Sequence, residues 1–190
     1  PGLDITQNTF AYVVTLVSGK PFLGVNLLIM LTFPLVAFLA YFLVRMTGLT
    51  GPLAIAAAAT FSLIPYHFGR ALGHTYLATL YSAVTGMILV LLIGSGRFEQ
   101  MVRRWRRPAT SRRSRVWMLV GLVFLVVVTA WSGIYYAAFT LILGAAALVW
   151  RFAHRASWRA LLVDAFPFLG IAILTVAGAL PSVLATRADP

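Results

Sequence analysis

The chain has 190 residues, of which 61% are hydrophobic and only 10% are charged, where a soluble domain carries about a quarter charged. A soluble domain of this length could bury one long apolar helix but not six, so composition excludes a water-soluble globule and predicts an all-α, polytopic integral membrane protein. The net charge of +11 reads as a topology signal, and the absence of cysteine removes disulfide, thiol and zinc-thiolate chemistry.

Residues 1–20, "PGLDITQNTFAYVVTLVSGK", mix Gly, Asp, Asn and Lys20 with apolar residues and read as the end of an external loop with a short interfacial segment. The chain opens on Pro1 without a basic n-region or cleavage pattern and stops just after an apolar run, so a piece of a longer protein is expected. Residues 21–190 read as a transmembrane helical bundle of about six spans: 21–44, 50–68, 75–94, 116–132, 134–150 and 160–183. The second span holds the small-residue run Ala54 to Ala59, expected to contact neighbouring helices because small residues let backbones approach in lipid. "GLTGP" (48–52) and "WSG" (131–133) are tight turns, the latter joining the fourth and fifth spans into a hairpin.

Charge then fixes orientation. Six alternating spans put Arg45, the eight arginines from Arg97 to Arg115, and Arg151, Arg155 and Arg159 on one side, twelve in total. The other side receives three: Lys20, Arg70 and Arg187. The positive-inside rule predicts the first side as cytoplasmic, with 96–115 a basic cytoplasmic loop. That loop has eight arginines and one acid, without patterning, and reads as a topogenic anchor touching anionic lipids rather than as a nucleic-acid site.

The stretch "FSLIPYHFGRALGHTYLATLY" (61–81) is predicted to lie at the outer surface. Pro65 should kink or end the second span, and Gly69 and Gly73 permit a sharp turn into the third. Were the segment to stay helical, His67, Arg70, His74 and Tyr81 would share an arc of about 60°. Two readings follow: an interfacial belt snorkelling to headgroups, or an anion-binding face. Two histidines seven apart, without a nearby carboxylate or thiol, do not make a metal site, and Ser132 in "WSG" lacks a nucleophile's context. No phosphate-cradling glycine motif is present, and no cofactor is expected.

The segment from "LTFPLVAFLAYFLVRMTGLTG" through "FSLIPYHFGRALGHTYLATLYSAV" resembles a recurring part of large bacterial multi-pass glycosyltransferases of the GT-C type. The pattern is F-x-x-x-P-Y-x-x-x-R-x-x-x-H, matched by Phe61, Pro65, Tyr66, Arg70 and His74, and "WSGIYYAAF" with Leu180–Pro181 resembles its downstream part. The resemblance implies transfer of a sugar from a polyprenyl-phosphate-linked donor at the outer leaflet of the bacterial cytoplasmic membrane. It also implies a carboxylate base in the first external loop. Asp4 is the only carboxylate in that part of the chain; the acidic motif itself is expected upstream of Pro1, and the fragment alone is expected to be inactive. Arg70 would pair with phosphate, His74 or His67 would add a hydrogen bond or a proton, and Tyr66 and Tyr81 would line the groove. The rival is a lipid or sugar-lipid transporter or flippase, or a structural membrane subunit. Against ion-coupled transport stands the near-absence of charge within the expected spans.

Overall fold

The structure, a computed structural model, describes residues 4–73, 79–154 and 156–188. Among these residues every regular element is helical. Five stretches, 22–46, 51–70, 112–131, 134–153 and 158–181, are each long and apolar enough to cross a membrane, and a bent pair beginning at Leu80 brings the number to six. The protein is an all-α, multi-pass membrane protein.

The first twenty residues differ from the expected loop end, because α1 (Ile5–Ser18) fills most of them. Its stop lies in "GKP". Gly19 takes the left-handed conformation and returns its N–H to the Thr15 carbonyl, and Pro21 then occupies the first turn of α2 (Pro21–Met46). The polar residues that suggested a loop are partly turned inward, and Gln7 is buried.

After the turn at 47–50, α3 (Gly51–Ser62) returns along α2. Ala54 and Ala58, one turn apart, are buried, and Ala58 joins Val36, Leu39 and Ala40 of α2 in one core cluster. Ala56 and Ala59 are exposed, so the small-residue run packs along one stripe and not over its whole surface. The break expected at Pro65 is present: α3 stops at Ser62 and α4 (Pro65–Gly73) restarts on the proline.

The next helix, α5 (Leu80–Gly94), is the centre of the bundle, with nine of its fifteen residues buried. It packs against α2, α7 (Arg112–Trp131) and α8 (Ile134–Ala153). At Gly86 it comes so close to α8 that any Cβ would run into the Thr140 hydroxyl. The last helix, α9 (Trp158–Ala188), covers α7 and α8.

The basic stretch 96–115 is also not the expected loop. It forms α6 (Arg97–Arg106), bent 79° from α5, and the first turn of α7, whose Ser111 cap accepts the Ser114 N–H at 3.2 Å. Phe98, Met101, Val102 and Trp105 recur at i, i+3, i+4 and i+7, an apolar stripe that the arginines had masked. Four arginines and a glutamate in ten residues set α6 apart from the apolar α5 within that bent pair.

The arginine-rich segments converge on one end. Arg97 Nη1 donates to the Met46 carbonyl at the end of α2 (3.0 Å). Arg151, near the end of α8, reaches Glu99 of α6 (2.7 Å), and Arg115 of α7 donates to the Arg107 carbonyl (2.9 Å). This is the basic end. Arg70 lies at the other, beside Tyr136 in the first turn of α8.

Candidate functional site

The end opposite the arginines is built where α1, α4, α5 and the α7–α8 turn meet. Gln7 Nε2 donates to the Thr79 hydroxyl and to the Ser132 carbonyl, both at 2.8 Å, and the Thr79 hydroxyl donates to the same carbonyl at 3.0 Å. These bonds tie α1 and the start of α5 to the turn between α7 and α8. Gln7 Oε1 and Ser132 Oγ, both buried, have no hydrogen-bond partner among the described residues. The Tyr81 side chain is buried with its hydroxyl facing Gln7 and Ser132, although neither of those two atoms reaches a standard hydrogen-bond geometry with it.

Gly133 is the hub. Its φ of +150° suits glycine, and a Cβ there would stand 3.1 Å from the Tyr136 ring and 3.7 Å from the Asp4 carboxylate. Tyr136 lies beside Tyr66 and within electrostatic reach of Arg70, and the Arg70 guanidinium lies 5.0 Å from the centre of the Tyr66 ring. Asp4 and Tyr136 thus both border Gly133, and Tyr136 stands near Tyr66 and Arg70. Asp4 is partly buried, and that burial pushes its carboxyl above the usual aspartate range.

Of the sequence-nominated residues, the fold gathers Asp4, Tyr66, Arg70 and Tyr81 at this end. His67 is different: it is fully buried, stacked 4.0 Å from the Phe33 ring, with Nδ1 2.8 Å from the Ser62 carbonyl and Nε2 3.0 Å from the Thr32 hydroxyl. A carbonyl only accepts, so Nδ1 carries a proton, and both ring nitrogens are engaged in holding α4 to α2 and α3. His67 is a packing residue, on a different face from the half-exposed Tyr66. The shared arc from His67 to Tyr81 does not form either, because Thr79 is non-helical and α5 starts afresh at Leu80. His74 lies outside the described residues.

Sequence reading missed Gln7, Thr79, Gly133 and Tyr136. It also missed a second polar cluster. Asp164, in the sixth span, is fully buried, and Arg151 bridges it (Nε to Oδ2, 3.0 Å) to Glu99, which also pairs with Arg103. The spans are therefore not free of charge, and a lone acid inside an apolar run was the available signal.

No family model, curated protein or solved structure matches the chain.

Proposed function

We propose that the chain is part of a membrane glycosyltransferase that moves a sugar from a polyprenyl-phosphate-linked donor at the outer leaflet of a bacterial cytoplasmic membrane. The observation that carries this reading is the presence, at the arginine-poor end, of both Arg70 and a partly buried carboxylate, neither in an ion pair among the described residues. Arg70 makes no ion pair among the described residues, whereas every carboxylate at the basic end is taken up by an arginine.

Such a group is suited to a leaving phosphate. As the bond from anomeric carbon to phosphate oxygen breaks, negative charge grows on the phosphate, and a preorganised guanidinium stabilises it more than it stabilises the intact donor. The Tyr66 ring face lies beside the Arg70 guanidinium, and Tyr136 stands beside both, so the guanidinium has a defined place before substrate arrives. Asp4, made more basic by burial, is the group on this chain able to take the acceptor proton. Tyr81 and Gln7 add polar groups near Asp4.

The test is glycosyl transfer by the intact protein in its membrane, with binding of a polyprenyl-phosphate analogue as a second readout. Losing a charge-assisted hydrogen bond costs about 1.5–3 kcal/mol, so Arg70→Ala should lower turnover or donor affinity about ten- to hundredfold. Arg70→Lys should restore only part, because an ammonium lacks the planar fork. Unchanged transfer and binding in a well-folded Arg70→Ala would return the residue to an interfacial belt.

A further inference from the structure

At the basic end a groove of about 390 Å³ opens between α6, α7 and α9. Its walls are Met101 and Trp105 of α6, Leu119 and Leu122 of α7, and Leu162 and Phe166 of α9, with Arg106 at its edge. The volume lies within the roughly 300–1,000 Å³ typical of small-ligand pockets. Trp105, Leu119, Leu162 and Phe166 remain substantially exposed, so the groove is open and unfilled by the chain itself.

Charge identifies the occupant. Among the described residues the acids of this end are Glu99 and Asp164, and both are engaged by Arg151 and Arg103. None is left for Arg104, Arg106, Arg107, Arg112, Arg113 or Arg115. Arg106 belongs to the groove's lining, whereas the Arg115 Nη2 is engaged with the Arg107 and Pro108 carbonyls at 2.9 and 3.4 Å. A cation without a carboxylate partner among the described residues, beside an open apolar slot, asks for an anionic head joined to a hydrocarbon tail.

We propose that this groove holds one acyl chain of an anionic phospholipid from the leaflet at the basic end, its phosphate held by Arg106. The site is independent of the transferase reading, which concerns the opposite end. It goes beyond general attraction of basic residues to a charged surface, because it specifies one lipid in one slot. A diffuse basic belt would hold many lipids without regard to the shape of the groove.

Native mass spectrometry of the whole protein, released from nanodiscs containing equal phosphatidylglycerol and phosphatidylcholine, tests it. One arginine near a lipid surface, at about 1 kcal/mol, predicts retention of one phosphatidylglycerol per chain with roughly fivefold preference. Leu162→Trp, which fills the slot from an exposed position, should abolish retention, and Arg106→Glu should remove the preference for the anionic lipid. Arg106 lies at the exposed end of α6, so that variant retains its fold and keeps the test decisive should Leu162→Trp disturb packing. Equal retention of the two lipids by the parent, or unaltered selectivity in Arg106→Glu, overturns the proposal.

Discussion

The two ends of the bundle handle polarity in opposite ways. At the basic end, charge enters the apolar interior only as pairs: Arg151 spans Glu99 and Asp164, joining α6, α8 and α9. At the other end the buried groups are an amide, hydroxyls and a tyrosine, tied to one another and to one carbonyl, with Gln7 Oε1 and Ser132 Oγ left over. Asp4 and Arg70 both sit there without forming an ion pair among the described residues. Ion pairing that is complete among protein groups holds helices together. Asp164 Oδ1 and Arg115 Nε at the basic end are also buried without a partner among the described residues, so what separates the two ends is ion pairing: Arg151 pairs with both acids at one, and Asp4 and Arg70 form no pair among the described residues at the other.

The contrast breaks first at Arg151. Removing it leaves Asp164 fully buried and Glu99 partly buried without their shared cation, and breaking a buried pair from one side costs about 3–5 kcal/mol. Arg151→Met should therefore melt far below the parent in detergent. Replacing all three groups together, with Glu99→Gln and Asp164→Leu added, should recover most of the loss, since a neutral, well-packed substitute avoids the uncompensated charges. A single variant that melts like the parent would mean that the triad is not structural.

Gly133 comes next, at about 1–3 kcal/mol, because a Cβ there meets the Tyr136 ring on a backbone of φ +150°. Gly133→Ala should lower stability by that amount and, on the transferase reading, depress transfer further by displacing Tyr136 from Tyr66. Normal transfer in a destabilised Gly133→Ala would detach the tyrosine pair from function.

Much of this division was legible in sequence. The count of arginines sorted the segments to two ends, and Met46, Arg97, Arg115 and Arg151 do meet at one of them. Pro65 marked the restart that presents Tyr66 and Arg70. What could not be read was assembly over distance. Gln7 reaches Ser132 across 125 positions of sequence, and such a contact leaves no periodicity behind. His67 was misplaced for the same reason: its partners Thr32 and Phe33 lie on another helix, and a polar residue met in isolation looks exposed. In α6 the apolar stripe was present but outnumbered by charge.

Arg70 provides a smaller and sharper test of the same contrast. Its described contact is the Tyr66 ring at the surface, and an exposed cation–π pair gives only about 0.5–1 kcal/mol. Arg70→Ala should therefore melt within about 1 kcal/mol of the parent while losing donor affinity. A collapse comparable to that of Arg151→Met would make Arg70 a structural residue, and the two ends would no longer differ.

The smallest effect is one of sign, carried by one carboxylate from each end. The hydrogen bond from Arg151 is the main cause holding the Glu99 carboxyl below the usual glutamate range. Its contribution is therefore complete above the unfolded value, near 4.5, and is lost as pH falls through the lower folded value. Asp4 runs the other way. Burial raises its carboxyl above 3.8, so the unfolded chain ionises first and stability declines as pH climbs from 3.8 through the folded value. At neutral pH Glu99→Gln should lower the melting temperature and Asp4→Asn should raise it slightly. Below pH 4 the first difference should shrink as Glu99 becomes protonated in the parent, and the second should vanish as Asp4 does. Melting curves of the two variants across pH 3–8 read both. If Asp4→Asn lowers stability at neutral pH, the Asp4 carboxylate has a stabilising partner, and the two ends handle charge alike.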